Sequence, residues 1–160
     1  MKLTLAVVEA ERDWIRERGE VVVPLINDVR AELADAFDTE VESVDAADYE
    51  AAVDAVFADG DLAVNVAALT RLLRDLDVAD DYPGFVVDEL LGRELAGCLA
   101  GTQPRRLLGE ATFHYADITT HTEGPAGADD LDAALAAGFQ TRLPGWPWTG
   151  HPSPFDVDPP

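Results

Sequence analysis

Apolar residues recur at spacings of three, four and seven along most of the chain, the pattern of helices that each bury one face. Val7 with Trp14, and Val8 with Ile15, stand seven apart in residues 3–18, although LTLAVV also has the composition of a short strand. Pro24 lacks the amide hydrogen that a helix interior uses. The sequence therefore predicts a second helix starting there, with Pro24 in the first position and Leu25, Val29 and Leu33 aligned behind it, flanked by Ile26 and Phe37. Asp45 is placed to cap a third helix, lined by Tyr49, Val53 and Phe57 and stopped by Gly60. Asp61 is placed to cap a fourth, whose Leu62, Val66, Leu69, Leu73 and Leu76 form the cleanest amphipathic stripe in the chain.

VADDYPG reads as a turn, and a fifth helix is expected after Pro83, carrying Val87, Leu90, Leu91, Cys98 and Leu99. Gly92, Ala96, Gly97 and Gly101 on that helix leave room for a close neighbour at some cost in helix propensity. Leu131, Leu135 and Phe139 repeat at spacing four in a last helix. From residue 144 the composition changes to PGWPWTGHPSPFDVDPP, whose prolines exclude regular helix and most sheet. The expected architecture is an all-α, single-domain bundle of six to seven short helices over residues 1–143, with a Pro/Trp-rich tail (144–160) packed on it. The alternative is an α+β fold with a small sheet built from LTLAVV, GEVVVPL and TFHYADITTHT.

Composition adds a second constraint. The chain of 160 residues has 32 acidic and 11 basic residues, a formal net charge of -21, and Lys2 is its only lysine. The excess recurs in almost every segment, so it reads as an adaptation to solvent before it reads as a site for a cation. This Asp-, Ala- and Val-rich, Lys-poor composition resembles that of cytoplasmic proteins from extreme halophiles, without pointing to any family. No basic stripe is present to neutralise phosphates, which argues against nucleic acid as a partner. No run of eighteen apolar residues offers a membrane span, and the N-terminus lacks the features of a secretory leader. Cys98 is the only cysteine, so no internal disulfide forms and a cytoplasmic protein is expected.

Candidate chemistry concentrates in PRRLLGEATFHYADITTHTE, residues 104–123. On a helix, Glu110, His114, Asp117 and His121 share one face, with Leu107, Leu108, Ala111, Tyr115 and Ile118 as the neighbouring apolar face. Imidazole and carboxylate together suit a divalent transition metal or general acid–base work. The axial rise of about 10.5 Å between His114 and His121 prevents both from binding one ion, so only adjacent pairs could chelate, completed from elsewhere by Glu123 or His151. On a strand, Asp117 and His121 would still share a face, now with Glu123. Arg105 and Arg106 at the start of the segment suggest a small-anion site. Trp146, Trp148 and Phe155 offer either a clasp on the bundle or a surface for a partner. Cys98 reads as a small core residue, and no hydrolase, P-loop or dinucleotide motif is present.

The balance favours a helical protein that acts by binding another protein in a regulatory or accessory role. Metal binding or metal-dependent catalysis at His114, Asp117 and His121, and anion binding at Arg105 and Arg106, are the alternatives. The charge itself generates a prediction. At about 0.1 M salt the Debye length is about 10 Å, against about 3 Å at 1 M, so dialysis from molar to 0.1 M salt should lower the melting temperature. An unchanged melting temperature would remove the case for salt adaptation.

Overall fold

Seven helices form among the described residues, which are 1–76, 81–120 and 128–146 of the computed structural model. Side-chain caps set several of their starts. The Thr4 hydroxyl accepts from the Val7 amide and opens α1 (Leu5–Glu17). Asp45 and Asp48 form a reciprocal capping box at the start of α3 (Ala46–Ala58). Asp59 accepts from the Leu62 amide and opens α4 (Gly60–Asp75). Each cap satisfies a donor that the first helical turn leaves without a partner, and is worth about 1 kcal/mol. The remaining helices are α2 (Gly19–Phe37), α5 (Asp81–Ala100), α6 (Arg105–Thr119) and α7 (Ala128–Gln140).

The fold is all-α, with no strand among the described residues. The segments with strand-like composition fall within or at the start of α1, in α2 and, for residues 112–120, in α6 and its C-cap. No described helix is long and apolar enough to cross a membrane. Some boundaries differ from the sequence expectation. Helix α2 begins at Gly19, so Pro24 lies inside it and not at its first position. Pro24 is exposed, as is Glu20 one turn earlier, whose carbonyl has no Pro24 amide hydrogen to accept. Gly60 opens α4 instead of ending α3, and Asp59, not Asp61, is the cap. A single extended residue, Asp59, serves as both the last cap of α3 and the first cap of α4, which leaves no separate linker. Pro83 falls in the first turn of α5, where amide hydrogens have no helical partner to lose.

Helix α7 is the centre of the bundle. Every residue from Leu131 to Thr141 is buried, and the helix packs against α2, α3, α4, α5 and α6. Its small residues on all sides make this enclosure possible. A methyl group added at Gly138 would collide with Leu99 of α5 and come within 3.0 Å of the Ala96 carbonyl oxygen. The same close approach joins α5 to α6. A methyl group at Gly109 would lie 2.7 Å from Ala100 Cβ, and one at Gly92 would lie 2.6 Å from the Phe113 ring. The small residues expected to admit a close neighbour on α5 therefore do so, for two helices at once.

Polar groups fix α7 at both ends. Near its start, the buried Asp132 carboxylate accepts two hydrogen bonds from Arg18, at 2.8 and 2.7 Å. Near its end, Arg30 of α2, 1% exposed, donates to the carbonyls of Gln140 (3.1 Å), Leu143 (3.2 Å), Pro144 (2.7 Å) and Glu42 (2.8 Å). The Arg30 guanidinium also lies 5.5 Å from the Trp146 ring, and Trp146 donates from Nε1 to the Gln140 carbonyl at 3.1 Å. Residues 144–146, the described start of the tail, are thus fastened to the bundle. Burial lowers the pKa of Arg30 to about 10, which leaves it charged at neutral pH.

Helix α1 is secured differently. Arg74 of α4 binds the buried Glu11 carboxylate at 2.7 Å and stacks over Trp14 at 4.3 Å. Tyr49 donates to the Ile15 carbonyl at 2.7 Å and meets Phe139 edge-on, with ring centroids 5.2 Å apart.

Arg30→Met should be strongly destabilising, by about 3 kcal/mol or more, because each buried acceptor left without a donor costs about 1–3 kcal/mol. Urea unfolding in molar salt measures it, and a loss below about 1 kcal/mol would contradict the role given to Arg30.

Candidate functional site

Helix α6 carries the polar chemistry singled out in the sequence, and its orientation decides which side chains are available. Gly109, Thr112, Phe113 and Ala116 face inward and are buried. Phe113 fills the notch left by Gly92, and Gly109 lets the backbone of α6 approach α5. At 3.6 residues per turn, this turns the opposite face outward. Leu107 is 63% exposed, Tyr115 43% and Ile118 71%, with the exposed Ala111 between the first two. These four positions span roughly 80° of arc, a single apolar stripe open to solvent.

The sequence reading placed Leu107, Leu108, Ala111, Tyr115 and Ile118 on one apolar face beside the polar row; Leu108 is half-buried and the other four face solvent. Leu107, Tyr115 and Ile118 face out because the inward contacts are made by Phe113 together with the small residues Gly109, Thr112 and Ala116. The signal that could have identified the inner face is the Gly109, Phe113, Ala116 spacing together with Gly92 and Ala96 of α5. On the neighbouring helix, Leu90 is also exposed, at 52%.

The polar candidates flank this stripe. The helix places Glu110, His114 and Asp117 along one side, as the offsets require. Glu110 is engaged with Arg106, whose guanidinium also binds Glu94. His114 lies with Nδ1 4.0 Å from Glu89 Oε1 and packs edge-on against Phe113. Asp117 is half-buried near the end of the helix. His121, Glu123 and His151 lie outside the described residues. No group of three or more metal-ligating side chains occurs among the described residues.

Arg106 is occupied by two carboxylates, which weakens its case as an anion ligand, and Arg105 is exposed beside it in the first turn. Trp146 faces inward at 8% exposure and holds the end of α7, so its described contacts lie within the chain. Trp148 and Phe155 lie outside the described residues.

An open groove of 1260 Å³ runs beside the end of α2, lined by Val41 and Trp146 together with Asp35, Asp38, Glu40 and Glu42. Its acidic lining matches the acidic surface of the whole chain and does not single it out.

Among comparisons with known proteins, residues 1–159 match the model of a family described as a domain of unknown function, DUF7984. No curated protein matches the chain. No solved structure matches it.

Cys98, half-buried on α5, donates weakly to Glu94 at 3.9 Å. Burial first, and the Glu94 charge second, push its thiol pKa above the ordinary value. A thiol held in its protonated form is a poor nucleophile. Cys98 should therefore react with iodoacetamide more slowly than an unstructured cysteine at mildly alkaline pH. Glu94→Gln should speed the reaction, because it removes a charge that disfavours the thiolate. Reaction at the rate of a free thiol would overturn the assignment.

Proposed function

The chain belongs to the DUF7984 family, and we propose that it is a protein-binding module whose contact surface is the outer face of α6. The observation that carries this reading is the exposed stripe of Leu107, Ala111, Tyr115 and Ile118. Exposed apolar residues scattered singly need no explanation, but residues aligned along one helix face form the type of surface that partners cover. The electrostatics of α6 support it. Two arginines balance Glu110 and Asp117, so the helix has no net formal charge in a chain of -21. An apolar and aromatic centre within a polar rim is characteristic of protein interfaces. Tyr115 adds a rigid ring with a polar tip, which suits an edge position in such a contact.

The face also agrees with a role that needs no catalytic set. Arg106, paired with Glu94 and Glu110, forms a polar border beside the stripe. The metal and anion readings have less support, because Glu110 and Arg106 are already paired with each other.

Ile118→Glu and Tyr115→Glu should leave the fold intact, since both side chains are exposed, and should each weaken partner binding by about tenfold or more. Burying one such side chain contributes about 1.5–3 kcal/mol, and tenfold corresponds to about 1.4 kcal/mol. The measurement is affinity capture at molar salt by wild type and by each variant. Proteins retained by the wild type are identified and then re-tested as purified components, a differently tagged copy of the chain included. Equal binding of the re-tested partner by wild type and variants would rule out α6 as the contact surface.

A further inference from the structure

The fold separates the two arginines that the sequence paired as an anion site, and it brings a third to the same turn. Arg106 is turned to Glu94 and Glu110. Arg142, just beyond the end of α7, reaches the connection between α5 and α6. Its Nε donates to the Leu99 carbonyl, and a methyl group added at Gly101 would lie 3.5 Å from one of its terminal nitrogens. Four residues after Gly101, Arg105 opens α6 with its side chain exposed. We propose that Arg105 and Arg142 together bind a phosphate group at the α5–α6 turn, a site separate from the apolar stripe of α6.

The electrostatics of the turn favour an anion. Carboxylates meet Arg12, Arg16, Arg18, Arg71, Arg74 and Arg106 in ion pairs. Arg142 has no such pair among the described residues, and its hydrogen bond goes to a neutral carbonyl. Burial first, and the Arg105 charge second, hold the Arg142 pKa below the ordinary value, against a weaker opposite pull from Asp59. In a chain with 32 acidic and 11 basic residues, the strongest charge acting on Arg142 is thus another cation. Two like charges held together disfavour each other's charged form, and an anion between them removes that cost. Partial burial strengthens the attraction, because water screens it less. The geometry of the donors selects phosphate. Each guanidinium presents a planar fork that fits two oxygens, and two forks from separate segments need more oxygens than a carboxylate has. Thr102 and Gln103, both exposed on the same turn, add a hydroxyl and an amide nitrogen as further donors.

The test is equilibrium dialysis of the full chain against labelled inorganic phosphate, at a fixed ionic strength in the molar range. A single saturable site per chain is expected. Arg105→Gln, at an exposed position, should weaken binding by about tenfold or more, through loss of a charge-assisted hydrogen bond. Arg142→Lys keeps a charge but loses the fork, and should weaken binding as well. Arg106→Gln should cost less than Arg105→Gln, since Arg106 serves its two carboxylates. An unlabelled phosphate monoester that displaces the label more strongly than inorganic phosphate assigns the site to a phosphorylated small molecule, and equal or weaker displacement assigns it to the free ion. Absence of saturable binding by the wild type would overturn the site, and so would undiminished binding by Arg105→Gln. A loss in Arg106→Gln as large as that in Arg105→Gln would overturn the assignment of Arg142 as the second ligand.

Discussion

Enclosing α7 from Leu131 to its C-terminal end is the constraint on which this structure depends. A helix at the surface can leave its terminal carbonyls to water, but α7 ends inside the protein, with Gln140 and Thr141 both buried. The last carbonyls of a helix have no partners of their own, so an enclosed end needs donors supplied from elsewhere. The Thr141 hydroxyl donates to Gly138 and the Arg142 amide to Phe139, and Arg30 donates to Gln140 from a planar array that also reaches Leu143 and Pro144 beyond the helix and Glu42 on another segment. Trp146 then closes over the guanidinium and adds its own donor to Gln140. One side chain from α2 thus holds the end of the central helix, the connection after α3's predecessor and the start of the tail. A lysine could not replace it, because its point-like ammonium lacks the fixed fork that reaches several acceptors at once.

That use of arginine explains an otherwise puzzling balance of charge. The chain has few cations, and most of the described ones are committed to holding elements together. Arg18 binds Asp132, Arg74 binds Glu11, Arg16 binds Glu50 and Asp54, and Arg106 binds Glu94 and Glu110. Arg142 donates to the Leu99 carbonyl. These ties differ in weight. Arg16 and its partners are exposed, where such pairs contribute about 0–1 kcal/mol. Asp132 and Glu11 are nearly inaccessible, and removing either arginine would leave a carboxylate buried without compensation. The sparse positive charge therefore works in the interior and at helix junctions, while acidic residues cover the outside.

The helices were legible in the sequence because periodicity and capping are local. Asp45 as a cap, the Leu131, Leu135 and Phe139 row, and the small residues on α5 all appear in the structure in the roles their chemistry implied. Pro24 was misleading because its cost depends on exposure, which the sequence does not state. The rotation of α6 was harder to read for a related reason. Ranking side chains by apolarity puts Leu107, Tyr115 and Ile118 inside, but the packing of α5, α6 and α7 is decided by how closely the backbones approach. Gly109, Gly92 and Gly138 set that distance, and Phe113 alone on α6 supplies the bulk that fills the space. The row of Glu110, His114 and Asp117 was legible as a row, but its chemistry depended on neighbours in α5 that local spacing could not supply.

The apolar face of α6 and the acidic remainder of the surface respond to salt in the same direction. At low ionic strength the repulsion among carboxylates opposes both the compact chain and any approach of a second acidic molecule. Molar salt shortens the range of that repulsion to about 3 Å, and excluded salts strengthen the burial of apolar surface. Both effects favour the folded chain in molar salt. For any partner that covers the exposed stripe of α6 they act together again: apolar burial rewards the contact, while screening removes the repulsion that an acidic chain would otherwise oppose to it.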